Sequence, residues 1–248
     1  MVHRQTLMDY VPLLRRYARA LRGSQALGDE AVRDCLAALA SNPQGFPSRL
    51  DLYKVFHAVA GKPASTAERT AGMDVKVGRI PVEARQVLLL TALEGFSLNE
   101  AAEILGIEAN AASRLLDSCL VDITRQRSMR VLIIEDEPII SLDLVNIMRT
   151  MGHEVVDVGS THRGAVQAAR LLRPELVLAD INLADGSSGV DAVREILSET
   201  QIPIVFVTAF PEKLLTGQAP EPTYLVTKPF VPDAIRAAVS QALWEHPR

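Results

Sequence analysis

Two rhythms of apolar residues divide the chain. Leu7, Val11, Leu14, Tyr17, Ala18 and Leu21 recur at intervals of three and four, as do Val32, Cys35, Leu36 and Leu39 and then Tyr53, Phe56 and Val59. That spacing predicts three amphipathic helices. The small and polar stretch Gly23–Gly28 predicts the first break. Ser41–Pro47, with two prolines and a glycine, predicts the second, because a helix interior tolerates neither residue well. Between Gly61 and Arg79 the periodicity fades among Gly, Ala, Ser, Thr and Lys, which predicts a linker. Pro81 suits a first helical position, with Val82, Val87, Leu88, Leu90 and Leu93 as the apolar face behind it. After Gly95, Ser97 and Glu100 have the spacing of a reciprocal helix cap. A helix from there to Leu105, a turn at Gly106 and a second helix from about Glu108 through Leu120 make a helix-turn-helix pattern. A DNA-reading module and an ordinary helical hairpin both fit it.

Beyond residue 129 the rhythm changes. Val131–Ile134, Leu176–Ala179, Ile204–Val207 and Tyr224–Val226 are unbroken apolar runs, and Val155, Val156 and Val158 form a weaker one. Runs of this length predict five strands buried on both faces. Helical segments alternate with them over Ile140–Met151, Arg163–Leu172, Val190–Leu197, near Glu212–Gly217, and over Ala234–Trp244. Strict alternation predicts a parallel sheet covered by helices on both sides, with ligands at the carboxyl ends of its strands.

Charge changes the picture of the first half. The whole chain of 248 residues has formal net charge −4; residues 1–128 sum to +2 and 129–248 to −6. Weak attraction between the halves and plain solvated surfaces both fit those totals. Within the helix-turn-helix, from Ser97 to Asp122, Arg114 is the only basic residue, set against Glu100, Glu103, Glu108, Asp117 and Asp122. A duplex-reading helix needs Lys or Arg to neutralise phosphates, so this setting makes a poor promoter binder. No run approaches the roughly 20 apolar residues of a membrane span, and no apolar leader follows the first residues. A cytoplasmic protein without membrane contact is expected. Cys35 and Cys119 lie in helical apolar patterns without CxxC spacing and are expected as buried thiols.

The chemistry sits where the apolar runs end. Glu135 and Asp136 follow the first, Asp180 the second, Thr208 closes the third, and Lys228 follows the last. A carboxylate can accept a phosphoryl group if cations offset the charge around it. Asp180 is the expected acceptor. The oxygen-rich cluster of Glu135, Asp136 and Asp180 suits Mg²⁺, while Lys228 and the Thr208 hydroxyl can contact phosphoryl oxygens. Phosphatases of the haloacid-dehalogenase type also phosphorylate an aspartate, but on a first-strand Asp-x-Asp that Glu135-Asp136-Glu137 does not supply.

These residues, with Lys228-Pro229-Phe230, resemble the response-regulator receiver domain over about 129–246. The resemblance implies phosphorylation of Asp180, metal ligation by Asp136, Asp180 and the backbone carbonyl of Asn182, Glu135 acting mainly through water, and a cis bond before Pro229. Leu225 stands where many receivers place a switching aromatic, with Tyr224 beside it. Pro81-Val82-Glu83-Ala84-Arg85-Gln86, Leu93-Glu94-Gly95-Phe96-Ser97 and Glu100–Ile107 resemble region 4 of extracytoplasmic-function sigma factors, and the earlier helices are similar to region 2. The expected architecture is an all-α sigma-like part, with region 2-like helices over 1–60, a linker over 61–79 and region 4-like helices over 80–127, ahead of an α/β flavodoxin-like (βα)5 receiver.

That order resembles the PhyR family of general-stress regulators. The resemblance implies an anti-anti-sigma switch, not an enzyme: a sensor histidine kinase phosphorylates Asp180, and the sigma-like part then captures a small anti-sigma factor, NepR, freeing the true sigma factor. Direct promoter binding is not expected. A promoter-binding response regulator and an RNA-binding antiterminator are the alternatives, separable by gel shift and RNA-binding assays.

Overall fold

The computed structural model describes residues 2–41, 48–60, 81–124, 127–183, 185–214 and 222–245. The chain forms two compact units, Met1–Asp122 and Ile123–Arg248. The linker read over 61–79 and most of the Ser41–Pro47 break lie outside the described residues.

The first unit is helical: α1 (Val2–Arg22), α2 (Gln25–Ala40), α3 (Arg49–Ala60), α4 (Val82–Leu88), α5 (Leu98–Leu105) and α6 (Ala109–Thr124). The first break is narrower than the sequence suggests. Gly23, at φ +72°, ends α1, and the Ser24 hydroxyl caps α2 by accepting from the Leu27 amide at 3.2 Å. Gly28 therefore lies inside α2, where a Cβ would sit 2.6 Å from the Arg19 Cα. Its role is close approach of two helices, not a turn. On α3 the buried face is Leu52, Tyr53, Phe56 and Ala60, whereas Val59, expected there, is 48% exposed. Tyr17, Tyr53, Phe56 and Phe96 pack edge to face, with ring centroids 5.0–5.7 Å apart, a geometry favoured by the ring quadrupole.

Pro81 is the N-cap of α4, not its first turn, with helical geometry starting at Val82. The helix expected through Leu93 does not stay α-helical, because Leu89–Leu93 form a π-helical turn. The Thr91 hydroxyl donates to the carbonyls of Val87 and Leu88 at 2.9 and 3.2 Å. Such back-bonding competes with the regular ladder, and the Glu94 amide reaches back five residues to the Leu89 carbonyl at 3.1 Å.

The second unit holds β1 (Arg130–Ile134), α7 (Pro138–Thr150), β2 (Glu154–Gly159), α8 (His162–Leu172), β3 (Leu176–Ala179), α9 (Gly189–Glu199), β4 (Ile204–Thr208), β5 (Tyr224–Thr227) and α10 (Pro232–Glu245). All pairings are parallel, in the order β2-β1-β3-β4-β5. Helices α8 and α9 touch each other, as do α7 and α10, so the sheet is covered on both faces. β2 lies at an edge and pairs with β1 through a register shift between Val131 and Leu132, in keeping with its weaker apolar signal. Near Glu212 the described residues form a single 3₁₀ turn, Pro211–Lys213; the rest of that expected helix lies outside them. No described helix is long and apolar enough to cross a membrane.

Candidate functional site

The chain leaves β1 toward β2 on one side, while β3 joins β1 on the other. Such a reversal opens a crevice at the carboxyl ends of the strands. The sheet ladder continues into that crevice and fixes its residues. The Glu135 amide donates to the Gly159 carbonyl (3.0 Å), the Asp180 amide to Ile134 (2.8 Å), and the Lys228 amide to Thr208 (2.8 Å).

The Lys228 Nζ lies 2.7 Å from Asp180 Oδ2, 2.7 Å from Glu135 Oε2 and 3.5 Å from Glu137 Oε1. Each of Glu135, Asp136 and Asp180 offers an oxygen within 4.8 Å of the others. Glu135 and Asp180 are buried and Asp136 half-buried. Burial raises the Glu135 carboxyl above its ordinary range, a displacement that Lys228 opposes without cancelling. For Lys228 burial acts downward, but contact with Asp180 and Glu135 prevails and its pKa is raised. Asp180 Oδ1 accepts from the Ile181 amide at 2.5 Å. Three carboxylates against one ammonium leave an excess of negative charge, and every donor atom is a hard oxygen. That set fits a divalent cation such as Mg²⁺.

Thr208 is fully buried, and its hydroxyl accepts from the Phe210 amide at 3.2 Å. Asn182 is exposed, and its side-chain oxygen accepts from Lys213 Nζ at 3.3 Å. Leu225 and Tyr224 are both buried, Leu225 within the receiver core, so neither presents a side chain to solvent. The Lys228–Pro229 peptide bond is cis.

Two contributors escape the sequence reading. Glu137 adds an exposed carboxylate beside Lys228, and its amide donates to Glu135 Oε1 at 3.2 Å; its place in an acidic triplet was the available signal. Gly189 opens α9 against the Asp180 backbone, where a Cβ would lie 1.8 Å from the Asp180 carbonyl oxygen. Nothing in the sequence separates that glycine from an ordinary turn glycine.

In the first unit the expected cap is present. The Ser97 hydroxyl accepts from the Glu100 amide at 3.2 Å, and Glu100 Oε2 accepts from the Ser97 amide at 2.8 Å. Gly106, at φ +66°, ends α5 in the left-handed region. Val87, Ala102 and Ala112 form the core between these helices, while Glu100, Glu103, Glu108, Arg114 and Asp117 are exposed. The outward face is acidic, as the sequence predicts.

Comparison with known proteins covers both units. Residues 7–57 match the family model for the sigma2 domain of PhyR, 78–126 that for the sigma-like domain of response regulator PhyR, and 131–240 that for the response regulator receiver domain. The phyllosphere-induced regulator PhyR of Methylorubrum extorquens is 39% identical over 97% of this chain and 94% of its own. The crystal structure of the response regulator PhyR from Brucella abortus is 44% identical, with TM-score 0.84 over 98% of this chain and 95% of that one. The anti-anti-sigma factor PhyR from Bartonella quintana is 41% identical, with TM-score 0.81 over 96% and 94%. With the receiver pocket and the sigma-like helices in one chain, this protein belongs to the PhyR family of response regulators.

Proposed function

We propose that this chain is a cytoplasmic anti-anti-sigma switch: phosphorylation of Asp180 by a histidine kinase raises the affinity of the sigma-like unit for a small NepR-like anti-sigma factor. The observation that carries this reading is the sign of charge on α5 and α6. The fold has the helix-turn-helix of a promoter reader, yet its exposed face holds one cation among four carboxylates, Glu100, Glu103, Glu108 and Asp117. Phosphate neutralisation supplies most non-specific duplex affinity, so the unit copies a sigma factor's shape without its electrostatics. The name anti-anti-sigma factor, borne by the Bartonella quintana relative, supports the same assignment.

At the pocket, an Asp180 carboxylate oxygen attacks the phosphorus of the kinase's phosphohistidine. The phosphorus–nitrogen bond breaks, the electron pair leaves with the imidazole, and an acyl phosphate forms. Lys228 already lies 2.7 Å from Asp180 and pairs with a phosphoryl oxygen, while the Thr208 hydroxyl donates to another. Asp136, Asp180 and the Asn182 backbone carbonyl would hold Mg²⁺, with Glu135 acting through water. When bound, the cation supplies charge that offsets the phosphoryl oxygens.

The reading is tested by titrating a purified NepR-like protein from the host against the chain with and without acetyl phosphate and Mg²⁺. Affinity should rise at least ~10-fold on phosphorylation, about 1.4 kcal/mol, and Asp180→Ala should show no rise. An equal rise in the variant, or tight promoter retention by the phosphorylated wild type, would reject the assignment.

A further inference from the structure

Glu94 closes the π-helical turn after α4 with its side chain wholly removed from solvent, and three side chains from two other helices, α1 and α3, converge on it. From α1, Arg16 donates through Nε (3.2 Å) and Nη2 (2.9 Å) to Oε1. From the start of α3, Arg49 Nη2 donates to Oε2 at 2.8 Å, and the Tyr53 hydroxyl donates to the same oxygen at 2.7 Å. The arginines also serve the end of the helical segment, where carbonyls lack intrahelical partners: Arg16 donates to the Leu93 carbonyl at 3.0 Å and Arg49 to the Glu94 carbonyl at 2.7 Å. The Arg49 guanidinium carbon lies 4.4 Å from the Phe96 ring centroid, so its charge is held over an aromatic face as well.

The chemistry of this cluster differs from that of the cores on either side. The region 2-like helices bury Leu14, Tyr17, Ala18, Leu21, Val32 and Cys35, and the region 4-like helices have their own core around Val87, Ala102 and Ala112. Between the two, the edge-to-face contact of Tyr53 with Phe96 is joined by a buried ionic tie centred on one carboxylate. More peripheral ties include the exposed Lys54–Glu103 pair at 2.7 Å and an Arg85 donation to the Leu21 carbonyl at 3.0 Å. Apolar contact tolerates sliding, whereas a carboxylate held by two guanidinium groups and a phenol fixes direction and register. Its placement follows from the π-helical turn, because the added residue rotates the chain end relative to a regular helix.

We propose that Glu94 is a positioning residue that joins the region 2-like and region 4-like helices into one rigid body, so that an anti-sigma partner meets both as a single preformed surface. The partner clause rests on the anti-anti-sigma reading; the rigid joint stands apart from it. Preorganisation of this kind raises affinity by removing the ordering cost on binding.

The test uses the full chain with spin labels at Arg33→Cys on α2 and Asp117→Cys on α6, both exposed sites, and pulsed electron resonance to read their separation. Glu94→Gln keeps the shape and removes the charge. It should broaden the distance distribution while helical circular dichroism is retained, and should weaken capture of the purified NepR-like protein by the phosphorylated chain at least ~10-fold. Should Glu94→Gln lose helix content, Arg49→Lys, which keeps the charge but not the planar fork, carries the same expectation. A distribution as narrow as wild type in a folded variant would overturn the joint, whatever happens to affinity. Broadening without anti-sigma binding even by the wild type would uphold the joint and reject the anti-anti-sigma reading.

Discussion

Lys228 decides the state of the receiver pocket, since it is the cation that the described structure places between Asp180 and Glu135. Removing one partner of a buried pair leaves an uncompensated charge, at a cost of about 3–5 kcal/mol. Lys228→Met is therefore expected to lower the unfolding midpoint. Mg²⁺ should raise that midpoint more in the variant than in wild type, because a metal that binds only the folded chain stabilises it and here replaces lost positive charge. Thermal unfolding in EDTA and in Mg²⁺ measures both, and an equal gain in the two proteins would contradict it. A second buried residue titrates well below its ordinary range. His57 Nε2 lies 2.8 Å from the Tyr17 hydroxyl, and burial, with Arg22 nearby, lowers its pKa from 6.5 to about 4. A depressed histidine favours the neutral ring in the folded state, so its contribution is intact above about pH 6.5 and is lost as pH falls toward 4, amounting to about 3 kcal/mol. His57→Gln removes that titration, and its unfolding free energy should fall less steeply over the same window in denaturant titrations at stepped pH.

At the scale of elements, close approach and turning place the same demand on the sequence and only the structure separates them. Gly28 reads as part of a break, yet it lies in α2 against Arg19. Gly28→Ala, ordinarily a stabilising change in a helix, is expected instead to cost about 1–3 kcal/mol through overpacking, read from the shift in chemical denaturation midpoint. The strands and the helix-turn-helix were legible because unbroken apolar runs and the Ser97–Glu100 cap are local signals. The pocket was legible because its residues end those runs, so topology alone gathers Glu135, Asp136, Asp180 and Lys228. The π-helical turn was not legible, since the effect of Thr91 depends on which carbonyls its hydroxyl reaches. The Glu94 cluster was hidden for a different reason. Its partners Arg16 and Arg49 lie 78 and 45 residues away, and no periodicity reports contacts at that range.

For the molecule as a whole, the acidic helix-turn-helix and the receiver's acidic pocket are a single design only if charge, and not shape, keeps the sigma-like unit off DNA. The helix-turn-helix is regularly built, with capped α5, a left-handed Gly106 and a packed core beneath. The charge hypothesis can therefore be put to the test by changing exposed side chains alone. Glu108 and Asp117 are both exposed, on either side of Arg114. Replacing both with lysine adds two cations to one and removes two carboxylates without touching the core. Each neutralised phosphate contributes about −0.9 to the slope of log affinity against log salt, so the variant should bind duplex DNA with a slope of about −2 to −3. The phosphorylated wild type should show no salt-sensitive retention in the same gel shift between 50 and 200 mM salt, concentrations that span the range where counterion release dominates. Because the phosphoryl group can shift the protein only toward an arrangement it favours by differential interaction, it cannot itself create a duplex-binding face. DNA retention by the wild type on phosphorylation would mean that a cationic surface had been concealed. A lysine variant that still ignores DNA would show that the sigma-like helices differ from promoter readers in geometry as well as in sign.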